Sequence, residues 1–380
     1  MMQVTLHGGF GEKGRTSLCV SDGSYRLLLD CGINTSDRAN YYPALTPGEL
    51  AALDGIIISH SHEDHIGGLG WCIANGFRGT VSMTSETRLE ADAIWTDYAT
   101  EAEHALALRQ SITTIHVGQP IKRGPFEIIT GRSGHIAGGF WCCISNATRS
   151  VLYCGDVVPH SPVFPMDALP RCDMLILDAS YGDDAVSGVE SARTIGSFID
   201  KNAGTIMPTP LMGRSLELFA LLAQPPALAT GMREALQTQL SQTRWIETQI
   251  REKLLLKLAH AKDWLINDPW PLQPLLCHDG MGMGGPAKDI IARAATEGQP
   301  ILFTGHLPTG SLGQHILQAR KAFWTRFPTH PSLVENMGLI AHCNPSKVLA
   351  HSCNADVVSR MKPRMPLLLE KAKLHDVIEI

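Results

Sequence analysis

No two cysteines of this 380-residue chain are spaced as Cys-x-x-Cys, although it contains ten. Several sit inside apolar runs such as Val151-Leu152-Tyr153-Cys154, so they read as reduced, packed thiols and not as a disulfide framework. Long apolar runs are missing too: none approaches the roughly 18–20 residues of a membrane span. The start, Met1-Met2-Gln3-Val4-Thr5, has no basic stretch followed by an apolar core, so a cytoplasmic protein with no membrane partner is expected. There is no positive surplus either, with 32 Lys and Arg against 37 Asp and Glu and a formal net charge of −5. Such a balance supplies no general attraction for a phosphate backbone, and any nucleic-acid contact has to come from a local patch. What remains, 44% hydrophobic residues and a mean hydropathy of zero, is the composition of a globular protein with one large domain or two ordinary ones.

What is present is concentrated at Ser59-His60-Ser61-His62-Glu63-Asp64-His65-Ile66-Gly67-Gly68. Gly55-Ile56-Ile57-Ile58 before it reads as a buried strand, so the polar cluster falls on the loop at the strand's carboxyl end, where open α/β sheets carry their chemistry. His60, His62, Asp64 and His65 are imidazole and carboxylate ligands of the kind a first-row divalent metal takes. They are too many and too close for one tetrahedral ion, and two ions about 3.5–4 Å apart are the more natural reading. The bland alternative is a solvated loop with chance histidines, which this density disfavours.

Along the chain, residues 3–7, 17–20 and 25–32 read as hairpin strands, the last reaching Asp30. Residues 66–76 suggest a helix, Thr80–Met83 a strand, and 85–110 one or two helices whose acids, Glu86, Glu90, Asp92, Glu101 and Glu103, are expected on a solvated face. Strands near 113–117 and 126–130 lead to Ser133-Gly134-His135-Ile136-Ala137-Gly138-Gly139. Ser150–Cys154 is an apolar strand delivering Asp156 at its carboxyl end. In the second half, Thr205–Pro208 and Pro300–Thr304 read as strands, each followed by a glycine-containing turn and a helix, an arrangement that presents backbone N–H groups to anions. Arg214 at a helix start either clamps a phosphate or pairs with Glu217. Residues 228–268 read as a long amphipathic helix or helical pair, with Trp245, Leu254, Leu258 and Trp264 as packing residues.

His-Ser-His-Glu-Asp-His followed by Ile-Gly-Gly resembles the HxHxDH signature of the metallo-β-lactamase superfamily. The resemblance implies that Asp30, in its Leu-Leu-Asp-Cys-Gly setting, supports the loop by hydrogen bonds. It implies that His60, His62 and His135 hold one ion, Asp64 and His65 the other, and that Asp156 bridges both. Four further stretches resemble motifs of the β-CASP branch, the nucleases that include the pre-mRNA 3′-end endonuclease, RNase J and Artemis: Leu177-Asp178-Ala179-Ser180-Tyr181-Gly182, Pro208–Leu218, Asp279–Pro286 and Thr304–Gly313. Two histidines stand where that branch has its last motifs. By that likeness His351 completes the second site, and His342, oriented by Asp178, protonates the leaving oxygen. Arg214 and Ser311 are then substrate contacts.

The implied fold is α/β, a metallo-β-lactamase αββα sandwich with an inserted α/β β-CASP domain: residues 1–177 and 336–380 for the sandwich, 178–335 for the insert. The implied function is a dinuclear zinc hydrolase, with manganese as the alternative ion, cutting RNA or DNA phosphodiesters through a hydroxide between the ions. The alternatives are a small phosphodiester, ester or amide as substrate, or a non-catalytic binding member; a homo-oligomer stays open. Departures from the branch pattern are Ile340 for a serine, Asn344 and Asp178 for an aspartate and a glutamate, and the short stretch from His342 to His351, which leaves no room for the usual helix.

Overall fold

A computed structural model of the chain describes all residues except His306, Pro308 and Thr309, so the Thr304–Gly313 stretch lies partly outside the described residues. The described chain divides into two units: 1–159, 166–185 and 330–380 form the first, and 160–165 with 186–329 the second. The sequence-based boundaries therefore shift, since the first unit keeps residues 178–185 and takes the chain back at His330.

The first unit is built on two sheets. One runs in the order Val377–Glu379, Met2–Gly8, Ser17–Asp22, Tyr25–Leu29, Gly55–Ile57, Thr80–Met83, Ile112–Thr114, antiparallel as far as Tyr25–Leu29 and parallel beyond. The other runs Lys347–His351, Met174–Asp178, Ser150–Tyr153, Phe140–Ser145, Phe126–Arg132, Ile121–Arg123, its first three strands parallel. Side chains alternate across each strand. Leu27 and Leu29 thus join Phe140, Tyr153 and Ile176 in the core between the sheets, while Leu28 turns outward beneath Leu69, Trp95 and Ala107 of the flanking helices. Leu175 and Leu177 likewise face Leu333, Val358 and Met361 on the far side. Both faces are covered along the central strands Gly55–Ile57, Ser150–Tyr153 and Met174–Asp178, which is why these strands read as continuous apolar runs. The layers are helix, sheet, sheet, helix.

This layering decides where the chemistry falls. Parallel strands release their loops along one edge. The 58–65 loop leaves Ile57, Asp156 follows Tyr153, and the paired strands Met174–Asp178 and Lys347–His351 end with Asp178 directly opposite His351.

The second unit has its own core around a parallel four-stranded sheet ordered Ile206–Pro208, Leu275–Cys277, Ala227–Ala229, Lys262–Trp264. Residues 228–268 hold a helical pair, Met232–Leu240 and Thr248–His260, and Trp245, Leu254, Leu258 and Trp264 are all buried. All ten cysteines are buried free thiols.

Candidate metal centre

The loop is held before any side chain acts. Residues 31–33 run alongside it, with Cys31 N–H donating to the His65 carbonyl (2.8 Å), Ile33 N–H to that of Glu63 (3.0 Å), and Thr16 N–H to that of Asp64 (2.9 Å). The two backbones approach so closely at Gly32 that a Cβ there would lie 1.7 Å from the Asp64 carbonyl oxygen, so only glycine fits. Asp30, fully buried and in the left-handed region at φ 57°, accepts from Ser59 N–H and Ser59 Oγ (both 2.7 Å), from His65 Nδ1 (2.7 Å) and from the Tyr153 hydroxyl. One carboxylate thus fixes the loop's entry and the tautomer of His65. Glu90, expected on a solvated face, accepts from Ser61 Oγ (2.6 Å), and Glu103 is buried, capping its own helix and taking the Tyr42 hydroxyl (2.9 Å).

Four side chains converge on one point. His62 Nδ1 lies 3.1 Å from both His60 Nε2 and His135 Nε2, and Asp156 Oδ2 lies 3.6 and 3.5 Å from those two nitrogens. The imidazole planes of His60, His62 and His135 meet at 80–87°. A tetrahedral ion with ligand bonds of about 2.0–2.1 Å has ligand-to-ligand edges of roughly 3.3–3.4 Å. The observed separations bracket that value, so the donors fit a divalent cation without rearrangement. Burial holds His60 well below its ordinary pKa and brings His135 down to about 3, which keeps both as neutral, lone-pair ligands. Burial alone would raise Asp156, but the facing imidazoles, His65 and His330 foremost, hold it well below the usual carboxylate range.

The second expected set is gathered less tightly. His65 Nε2 and Asp156 Oδ1 are buried, make no hydrogen bond and face each other at 3.2 Å, while Asp64 Oδ2 stands 3.8 Å from His65 Nε2. His351 lies beside them, its ring centroid 6.0 Å from that of His65, with Nε2 donating to the Gly155 carbonyl (3.0 Å).

The expected proton donor is elsewhere. His342 sits in the last turn of helix Leu333–Cys343, exposed, with Nε2 donating to the Leu169 carbonyl (2.9 Å). The imidazole set against Asp178 is His330. Its Nδ1 donates to Asp178 Oδ2 (2.9 Å) and lies 3.7 Å from Asp156 Oδ2, and its ring is 5.1 Å from those of His135 and Tyr181. Asp178 has no spare capacity: Oδ1 accepts from Ser180 N–H (3.0 Å) and Oγ (2.7 Å), and Oδ2 also takes Val157 N–H (3.2 Å). The helix absent between His342 and His351 lies between His330 and His351 instead. Its sequence signal is the capping box of Ser332 and Glu335, two residues after His330.

The β-lactamase superfamily domain matches residues 25–230, more than half of the chain. The chain belongs to the metallo-β-lactamase superfamily. Among its relatives in that superfamily, the transcription termination factor FttA of Cenarchaeum symbiosum is 25% identical over 374 residues, covering 84% of this chain and 58% of that protein. The ribonuclease TTHA0252 of Thermus thermophilus is 24% identical over 241 residues, 58% of this chain and 54% of that one. The chain thus spans under three fifths of the length of these curated relatives. A crystal structure of an Enterococcus faecalis V583 protein of unknown function shares the fold at TM-score 0.65 and 13% identity, covering 100% of both chains.

The insert's expected substrate contacts have local roles of their own. Arg214 opens the helix Arg214–Leu221, and a Cβ on Gly305 would meet its Nη1 at 1.9 Å. Ser311 is buried and caps helix Leu312–Gln318, accepting from Gln314 N–H. In the glycine-rich stretch the carboxylate of Asp279 accepts from Met281, Met283 and Gly284 N–H (2.9–3.1 Å), so these amides are satisfied internally and are not held open for an anion.

Proposed function

We propose that the chain is a metal-dependent phosphodiesterase of the metallo-β-lactamase superfamily that cuts nucleic acid, with His330 in place of His342 as the proton donor. The observation that carries this is the placement of the Asp178–His330 pair against a four-donor cation cradle. His60, His62, His135 and Asp156 would hold one divalent cation, and Asp64, His65 and the other oxygen of Asp156 a second, which His351 would join only by giving up its bond to the Gly155 carbonyl, with zinc the ion that imidazole and carboxylate donors suit best. Bound there, the cations supply Lewis acidity and lower the pKa of water toward neutrality. The remaining work belongs to side chains. Asp178 holds the Nδ1–H of His330 and so fixes the ring's orientation. The same carboxylate favours the protonated ring against the opposing pull of burial, and His330 so held is the group whose Nε2 hands a proton to the departing oxygen. Asp30 keeps His65 oriented, as carboxylates behind metal-binding histidines do. A ribonuclease and a termination factor among the similar proteins support a nucleic-acid substrate over a small ester.

The test is a substrate panel of single-stranded RNA, single-stranded DNA, bis(p-nitrophenyl) phosphate and a carboxylic ester, offered to zinc-equilibrated protein. Cleavage of a polynucleotide or the diester, lost on chelation, is expected. Turnover of the ester alone would overturn the reading.

A further inference from the structure

We propose that His7, Glu49 and His375 form a separate site for a divalent transition-metal ion of the zinc type, tying the last strand of the first unit to the first. One donor atom from each lies within 4.8 Å of the other two, and the three residues come from stretches that are far apart in the chain. This proposal stands independently of the hydrolase reading.

Two backbone irregularities aim the imidazoles. His7 sits where the pairing between Met2–Gly8 and Ser17–Asp22 shifts register, at Leu6 to Gly8, and such bulges redirect a side chain. His375 takes the left-handed conformation at φ 67°, uncommon for a residue with a side chain. The segment is pinned there by His375 N–H donating to the Leu6 carbonyl (2.8 Å) and Leu6 N–H to that of Asp376 (3.2 Å).

The protonation pattern suits a cation. A carbonyl can only accept, so the 3.2 Å contact between His7 Nδ1 and the Ala44 carbonyl puts the proton on Nδ1 and leaves Nε2 as a bare lone pair. Histidines that bind metals commonly donate their other ring nitrogen to a carbonyl in this way. Glu49 Oε2 is engaged by Thr46 N–H and Oγ1 (both 2.7 Å), which orients the carboxylate and leaves Oε1 as its second acceptor. Two imidazoles and a carboxylate with an open fourth position form a donor set zinc uses. Contraction from 4.8 Å to a tetrahedral edge of roughly 3.3 Å is about 1.5 Å at most, within reach of side-chain rotation because His375 is exposed and Glu49 partly so, while His7 is buried and fixed.

The experiment counts zinc. Protein carrying His62→Ala and Asp156→Asn, equilibrated with zinc and desalted, is compared by elemental analysis with the same protein carrying His375→Asn as well. Asparagine tolerates positive φ and position 375 is exposed, so folding is preserved. The expected result is one zinc per chain fewer with His375→Asn, and in calorimetric titration at least a tenfold weaker zinc affinity. In the chain with its metal centre intact, zinc should raise the melting temperature further when His375 is present than when it is Asn. Equal zinc content with and without His375→Asn overturns the proposal, and would mean that His7 is a buried histidine satisfied by the Ala44 carbonyl alone.

Discussion

At the scale of single residues, His330 and His342 separate two accounts of the same chemistry. One imidazole bonds a buried carboxylate beside the cation cradle; the other bonds a backbone carbonyl at an exposed helix end. His330→Ala should lower kcat by about 10²–10⁴-fold, the usual worth of a positioned acid, with metal content unchanged. His342→Ala should leave kcat within about twofold, since it removes one hydrogen bond to a backbone carbonyl at an exposed helix end. Steady-state kinetics with elemental analysis on both variants decides, and the reverse pattern would restore His342. A second prediction concerns Asp30. Asp30→Asn keeps the shape and tolerates the left-handed backbone, but it loses the charge that receives four donors and sets the His65 tautomer. Metal affinity should fall about 10–100-fold, read by competition with a chelator of known strength. A smaller change would mean that Ser59 and Tyr153 hold the loop without it.

At the scale of elements, what the sequence disclosed follows from what a local pattern can carry. The strand before the metal loop, the strand before Asp156 and the helical pair in 228–268 were legible because a covered strand is a continuous apolar run and a helix repeats its apolar face. The convergence of His60, His62, His135 and Asp156 was legible only through resemblance, since nothing local says that strands from two sheets end at one edge. The placement of His330 is not legible in sequence because it depends on its bond to Asp178, a contact across 152 positions. Glu103 was misplaced because a helical acid looks solvated until a tyrosine is brought against it. A contact of much shorter range supports the insert: Lys257 donates its ammonium to the carbonyls of Phe219 (2.8 Å), Ala220 (3.2 Å) and Leu222 at the end of helix Arg214–Leu221. Lys257→Met keeps the stem but orphans these carbonyls, and should cost about 1–3 kcal/mol in the unfolding transition that carries the insert, followed by urea titration. No shift in that transition would mean that water replaces the ammonium without loss.

At the scale of the whole molecule, the first unit is assembled from three stretches, yet its candidate centre is complete within it: His60 to Asp156 precede the insertion, and His330 and His351 follow it. The points where the chain leaves for the insert and returns are adjacent, because Leu333 N–H donates to the Asp184 carbonyl (2.8 Å). Neighbouring exit and return points are the geometry that lets a domain be inserted without disturbing its host. Each unit also has its own core, that of the second lying between Ile206 and Ile316. It follows that replacing residues 186–329 with a short glycine-serine linker should leave a folded first unit with the same zinc content as the intact chain, measured by elemental analysis and a cooperative melt. The Asp178–His330 bond is the sensitive part, because His330 is the first residue after the excised segment and a linker under tension would pull it away. A linker series of increasing length should therefore hold zinc content constant while hydrolysis of an activated diester rises to a plateau. Zinc content that climbs with linker length would show that the cradle itself depends on the insert.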